Sequence, residues 1–195
     1  MSETRNEPSR LSGEAWPPLP LPRDAQGPPG NLAAPVSDDL TRFRGWLTQA
    51  IPLAAHLGLV EMQWSEPERA TGQLSWHLRL PPNLNDKGTA FGGAMSLEAT
   101  LCGWSWLTLW LRARGIQRDI VVSQASQQFL APVSGDYHII CAPDDMAALD
   151  EVGERLTAGR RARLSLTQQL WCQVEGQSAP RLCFEARGDY VVLGP

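Results

Sequence analysis

The segment Asn83-Leu84-Asn85-Asp86-Lys87-Gly88-Thr89-Ala90-Phe91-Gly92-Gly93 is where chemistry can be read most directly in this chain. Gly92 and Gly93 precede a long apolar run, so they stand where a buried helix begins. Lacking Cβ atoms, they let a ligand approach first-turn N–H groups that have no intrahelical acceptor. The helix dipole adds partial positive charge at the same place. Such a site suits a carbonyl oxygen that takes on negative charge, as in a thioester or the oxyanion it becomes. Asn85, just upstream, could orient or hydrogen-bond that group without carrying charge. The Gly-Gly pair alone also fits a tight loop needed only for close packing.

Other side chains are candidates on weaker grounds. Ser123, Gln124 and Ser126 follow the apolar helix on the next strand, where they could contact a substrate or serve as ordinary strand polar residues. Arg160, Arg161 and Arg163 could bind phosphates or an acidic partner, or form a solvated strand end. His56, His77 and His138 are scattered, with no nucleophile or carboxylate in a recognisable relation to them, and read as structural. No serine sits in a Gly-x-Ser-x-Gly elbow, which excludes an α/β-hydrolase as far as motifs can. Cys102, Cys141, Cys172 and Cys183 show no C-x-x-C spacing and no zinc pattern with histidine, so they read as buried free thiols in a reducing, cytoplasmic compartment. No metal or cofactor is called for.

The elements that position the loop follow from periodicity. Ser37-Asp38-Asp39 is an N-cap cluster, and Leu40, Phe43, Leu47 and Ile51 follow at helical spacing until Pro52. Leu59 to Trp64 reads as a strand, and Gly72 to Leu80 alternates, with Leu74, Trp76, Leu78 and Leu80 on one face. The apolar helix spans Gly93 to Arg114 and closes at Gly115. Strands are then expected at Asp119 to Leu130, Asp136 to Ala142, Arg161 to Glu175 and Arg181 to Leu193, with a polar, acidic loop from Pro143 to Glu154. In Arg161 to Glu175, Leu164, Leu166, Leu170, Cys172 and Val174 share a face. One long apolar helix with antiparallel strands before and after it is buried most simply when the sheet curls around it. This is an α+β class chain with hot-dog architecture, and its open sheet edge predicts a homodimer or higher homo-oligomer.

Composition agrees. The chain has 195 residues, 43% hydrophobic and 19% charged, enough for one domain with a core. Its net charge of -4 argues against a nucleic-acid binder. Half of the 16 prolines fall in residues 1–36, which read as an extended tail ahead of a domain at 37–195. That tail could dock as a polyproline ligand or stay solvated. No signal peptide is evident. Ala90 to Leu111 is long enough for a membrane span, but Glu98, the glycines and the hydroxyls favour the buried centre of a soluble fold.

The motif Asn83-x-Asn85-Asp86-Lys87-Gly88-Thr89-x-Phe91-Gly92-Gly93 resembles the signature of the YiiD C-terminal-type putative thioesterase family. Asp119-Ile120-Val121-Val122 and Phe129-Leu130-Ala131-Pro132-Val133-Ser134-Gly135-Asp136 are similar to the same family's strand after the helix. The resemblance covers roughly residues 45–192 and leaves the Pro-rich tail aside. It implies an acyl-thioester substrate carried on coenzyme A or acyl carrier protein. Members are also described as malonyl-acyl carrier protein decarboxylases that supply acetyl starters for fatty-acid synthesis.

The resemblance also frames the reaction. Hydrolysing relatives of this fold usually place a histidine before the Gly-Gly pair and an acid about two turns into the helix. Here those places hold Phe91 and Thr100. A base that activates water contributes about 10²–10⁴-fold, and neither residue can be one. Glu98 is near, but two helical positions differ by about 200° in direction, so it faces either the site or a buried partner. Decarboxylation needs stabilisation of an enolate oxygen and no prior deprotonation. Gly92, Gly93 and Asn85 could supply it. Phe91 would weaken hydration of the departing carboxylate. Ser123 or Ser126, with Gln124 beside them, could reach a neighbouring subunit's site. The expected activity is therefore decarboxylation of malonyl-acyl carrier protein. The alternatives are a thioesterase releasing free acid and a non-catalytic acyl-binding module.

Overall fold

A computed structural model describes residues 37–65, 72–145, 147–173, 176 and 178–194. The Pro-rich stretch 1–36, with its expected extended tail, and Val174 lie outside the described residues. Helix α1 (Ser37–Ala50) buries Leu40, Phe43 and Leu47, one face of a helix. Pro52 has no N–H to continue it, and a 3-10 turn (Pro52–His56) carries the chain to Gly58. Strands β1 (Leu59–Ser65) and β2 (Gln73–Leu78) pair antiparallel. In β2, Leu74, Trp76 and Leu78 are buried, and their alternates are half-buried.

Helix α2 (Gly92–Arg112) is the centre. It touches β2, β4 (Tyr137–Pro143), β5 (Ala162–Cys172), β6 (Arg181–Val192) and β3 (Ile120–Phe129). The flank that the sheet leaves is covered by α1, whose Phe43 and Trp46 rings lie 6.5 and 6.0 Å from that of Trp104. So α2 is apolar nearly all round because it has neighbours nearly all round. Gly103 is required here: a Cβ at that position would overlap the Tyr190 hydroxyl, which donates to the Thr100 carbonyl at 3.1 Å.

All pairings in the sheet are antiparallel, in the order β1-β2-β4-β5-β6-β3. In β5, Leu164, Leu166, Leu170 and Cys172 point inward as their alternation predicts, together with Gln168, whose Nε2 donates to the Leu166 carbonyl at 3.1 Å. The segment read as a polar loop is largely a helix, α3 (Ala147–Thr157). Its charged composition hid a sparse apolar stripe, and Leu149, Val152 and Leu156 are buried at i, i+3 and i+7. The Asp145 carboxylate accepts the Ala147 N–H at 2.9 Å and starts it. A long helix held by a six-stranded antiparallel sheet is the hot-dog fold. Among the described residues no helix is long and apolar enough to cross a membrane.

Candidate active site

The loop before α2 is built around one side chain. Asn85 Oδ1 accepts the N–H groups of Lys87 at 2.8 Å and Thr89 at 3.1 Å. Its Nδ2 donates to Thr89 Oγ1 at 2.9 Å and to the Ala90 carbonyl at 3.3 Å. Both ends of the amide are thus engaged within the loop, which turns at Gly88 with φ 76°. Leu84 and Ala90 form a bridge that closes the loop. Ala90 N–H then reaches the Val133 carbonyl at 2.9 Å, and Phe91 N–H reaches the Asn83 carbonyl at 2.7 Å. These bonds fix where the helix begins.

The Phe91 carbonyl accepts the N–H groups of Ala94 and Met95 at 3.0 and 3.1 Å. The N–H groups of Gly92 and Gly93, ahead of Ala94 in the first turn, have no intrahelical acceptor. Two rings flank them. A Cβ on Gly92 would meet the Phe129 ring at 3.1 Å, and one on Gly93 would overlap the Phe91 ring. Phe91 and Phe129 are each 57% exposed, so this apolar cover faces solvent in the single chain. One turn on, Ser96 Oγ lies 2.9 Å from the Gly92 carbonyl and 2.6 Å from Gln127 Oε1. Thr100 Oγ1 donates to the Ser96 carbonyl at 2.8 Å. The side chains gathered at the helix start are therefore neutral: two phenyl rings, the Ser96 hydroxyl and the Gln127 amide.

Glu98 lies elsewhere. It is fully buried on the flank of α2 that faces β4, where the Tyr137 hydroxyl donates to its carboxylate, 2.8 and 2.9 Å from the two oxygens. Burial raises its carboxyl to about 7, and the Tyr137 bond opposes part of that rise. Asn83 Nδ2 donates to Tyr137 Oη at 3.0 Å. Glu98 thus has a buried partner and does not reach the helix start, and Thr100, two turns in, is bonded to the Ser96 carbonyl.

The β3 register sorts the remaining candidates. Val122, Ala125, Gln127 and Phe129 stand opposite Tyr190, Gly188, Ala186 and Phe184, on the face toward α2. Gln124 and Ser126 stand opposite Asp189 and Arg187, on the outer face. Ser123 fills the register shift between Val122 and Gln124, and its hydroxyl donates to the Asp189 carbonyl at 3.1 Å. Within one chain, none of these three joins Gly92 and Gly93. Sequence reading missed Gln127, Ser96 and Phe129. Strict alternation counted back from Phe129 would have placed Gln127 on the inner face.

Neither of two surface cavities adjoins the helix start. One, of about 280 Å³, lies between α3 and the start of β5, lined by Arg155, Arg161 and Arg163 with Glu151. Arg163 lies 3.8 Å from Asp189. The other is small and lined by Glu61, His77 and His138, whose imidazoles stack at 4.5 Å. All four cysteines are buried and unbridged. Among the described residues, no three His, Cys, Asp or Glu side chains converge as a metal site.

A family model described as putative thioesterase (yiiD_Cterm) matches residues 40–194. A putative thioesterase from Shewanella oneidensis is similar at 27% identity, covering 81% of this chain and 99% of that one, with a TM-score of 0.62. A protein of unknown function from Chlorobaculum tepidum shares the fold at 22% identity over 82% of this chain and 97% of its own, with a TM-score of 0.68. A probable thioesterase from Pseudomonas aeruginosa shares it at 20% identity over 83% and 99%, with a TM-score of 0.57.

Proposed function

The chain belongs to the YiiD C-terminal-type thioesterase family, and from that premise we propose that it decarboxylates malonyl-acyl carrier protein to acetyl-acyl carrier protein. Membership makes it an acyl-thioester enzyme of the thioesterase-like hot-dog superfamily. The observation that carries the finer reading is the neutral set around Gly92 and Gly93. Phe91, Phe129, Ser96 and Gln127 include no base to activate water, and the Glu98 carboxylate is turned to Tyr137. Decarboxylation needs none. The bond from C2 to the malonyl carboxylate breaks, CO₂ leaves, and the electron pair passes into the thioester to give an enolate. First-turn N–H groups of Gly92 and Gly93 stabilise its oxygen. C2 then takes a proton from solvent water, leaving hydroxide that the released CO₂ takes up as bicarbonate, and the acetyl thioester remains on its carrier.

A second copy completes the site in this reading. Strand β3 is a sheet edge exposed along most of its length, with Val121, Val122, Phe129 and Leu130 open to solvent. Edge pairing with another β3 would cover it. Edge pairing keeps each face of β3 on its own side of the joined sheet, so inner-face Gln127 and Phe129, with Ser123 at the register shift, would be presented toward the neighbouring helix start, and Gln124 and Ser126 would stay on the outer face. Asn85 acts by holding the loop in shape.

Hydrolysis to a free acid is the second reading, and the likeness to the Shewanella protein favours it. The test is to incubate purified protein with malonyl-acyl carrier protein, and separately malonyl-coenzyme A, and follow mass and free thiol. Loss of CO₂ without new thiol supports decarboxylation. New thiol replaces it with hydrolysis. Neither change leaves an acyl-binding module.

A further inference from the structure

Asn83, Tyr137 and Glu98 form a buried chain of hydrogen bonds between the core of α2 and the loop that starts it. Asn83 is 4% exposed and Glu98 and Tyr137 are fully buried. The direction of the chain follows from its acceptors. Asn83 Nδ2 lies 2.8 Å from the Leu57 carbonyl and 3.2 Å from the Arg79 carbonyl. Carbonyls only accept, so this end of the amide must be the NH₂ group. The same group faces Tyr137 Oη at 3.0 Å, which therefore accepts. The single Tyr137 proton is left to point at Glu98, between oxygens 2.8 and 2.9 Å away. The Asn83 backbone carbonyl meanwhile holds the Phe91 N–H at 2.7 Å, immediately before Gly92.

We propose that Glu98 is the positioning residue of the helix start: as an ionised acceptor it orients Tyr137 and Asn83, and through the Asn83 carbonyl it aims the amides that follow Phe91. This deepens the reading under Proposed function and rests on it for the role of those amides. A proton on Glu98 leaves one carboxyl oxygen to accept the Tyr137 proton and turns a charge-assisted bond into a weaker neutral one. Tyr137 and the Asn83 amide behind it would then be held less tightly, and the loop would relax with them.

The groups that face Glu98 leave this equilibrium in its own hands. They are Tyr137 on β4 and Cys102 one turn further along α2, with Cys141 of β4 against Cys102. Burial pushes the Tyr137 hydroxyl and the Cys102 thiol well up, so both stay neutral around pH 7. Asp136 is the nearby charge acting on Tyr137, and its carboxylate accepts the Leu80 N–H at 2.9 Å. Burial places the Glu98 carboxyl at about 7, where the chain would respond within the neutral range.

The experiment uses the full chain, labelled with ¹⁵N and ¹³C, and follows the Phe91, Gly92 and Gly93 amides beside the Glu98 side-chain carbon across neutral pH. The expected result is that the three amides move with the Glu98 carboxyl, with one shared midpoint near 7. Amides that stay still while the carboxyl titrates overturn the proposal. In Glu98→Gln the amides should not titrate; amides that still titrate there, driven by histidine or another group, overturn it too. In Tyr137→Phe the carboxyl should titrate and the amides should no longer follow. If either variant fails to fold, the wild-type comparison still decides. Steady-state kinetics then separate the two readings. A kcat that falls as pH drops through the same midpoint, with KM nearly constant, joins the chain to catalysis. Amides that titrate in a protein inert toward acyl thioesters remove the proposed reaction and leave the positioning chain standing.

Discussion

Ser96 on α2 and Gln127 on β3 meet 2.6 Å apart, one helical turn beyond the glycines, and this contact ties the exposed sheet edge to the helix start. The Ser96 hydroxyl also reaches the Gly92 carbonyl, so the contact bears on the first turn itself. Ser96→Ala and Gln127→Ala should each lower stability by about 1 kcal/mol, the usual worth of a hydrogen bond between neutral groups. The double variant should cost less than the sum, with a coupling of about 0.5–1.5 kcal/mol. Urea unfolding of the four proteins measures it, and strict additivity would show that the two side chains do not interact in solution.

Two glycines in helices have opposite surroundings and should respond oppositely to alanine. At Gly103 a methyl group would overlap Tyr190 and crowd Gln168, so Gly103→Ala should destabilise by about 1–3 kcal/mol through overpacking. At Gly45 in α1 nothing lies within 4 Å of the added carbon. Gly45→Ala should therefore be neutral or stabilise by up to about 1 kcal/mol, since alanine restricts the unfolded chain and favours helix. Thermal unfolding distinguishes them. Equal losses at both positions would contradict the packing of β6 against α2.

Glu98 gives stability a pH dependence of unusual sign for a carboxylate. Its folded value of about 7 lies above the ordinary value of 4.5, so the folded state holds the proton more tightly. By linkage, stability from this group is complete below the unfolded value and is lost as pH rises through the folded one. The window runs from 4.5 to about 7, and the loss is roughly 3 kcal/mol as an order of magnitude. Glu98→Gln cannot lose a proton. The stability difference, variant minus wild type, should therefore grow more positive across that window and level off above it. Denaturant unfolding at a series of pH values reads this directly, and a flat difference would place the carboxyl in a solvated setting.

The outer face and edge of β3 predict assembly. Val121 is 43% exposed on an unpaired edge, where a charge would oppose strand pairing with a second copy. Val121→Lys should shift the protein toward monomer in sedimentation at micromolar concentration. Leu193→Lys, which adds the same charge at a residue 39% exposed beyond β6, should not. A wild-type protein that sediments as a monomer would remove the second copy from the site, and with it any contact of Ser123, Gln127 and Phe129 with a neighbouring helix start.

Much of this was legible in the sequence because burial leaves a period. The alternation of Leu74, Trp76 and Leu78 and the apolar run from Gly92 to Leu111 are one-dimensional traces of a sheet around a helix. α3 was hidden because three buried apolar residues suffice for a short helix on a surface, and charged neighbours dilute them. The proposed site could be read at Gly92 and Gly93, where the backbone itself would supply the chemistry. Its side chains were less so. The shift at Ser123 reverses the alternation along β3, so Ser126 and Gln124 face out and Gln127 faces in. The chain from Asn83 through Tyr137 to Glu98 joins three separate elements, and no local spacing announces it.

Asn85 separates loop architecture from direct chemistry. Its Oδ1 takes two backbone N–H groups, and its Nδ2 serves Thr89 and Ala90. Asn85→Asp keeps the acceptor half and loses the donor half, whereas Asn85→Ala loses both. If the side chain works by shaping the loop, the aspartate variant should retain more activity than alanine. The alanine variant should lose about tenfold or more, because a misplacement of about 1 Å near reacting atoms can cost about 10²-fold. If Asn85 instead donated its amide hydrogens to the substrate oxygen, aspartate would be the worse of the two, since a carboxylate would repel the developing charge. Acyl-thioester turnover by the two folded variants, with their helix content checked by circular dichroism, gives the ranking. The four bonds within the loop favour aspartate above alanine.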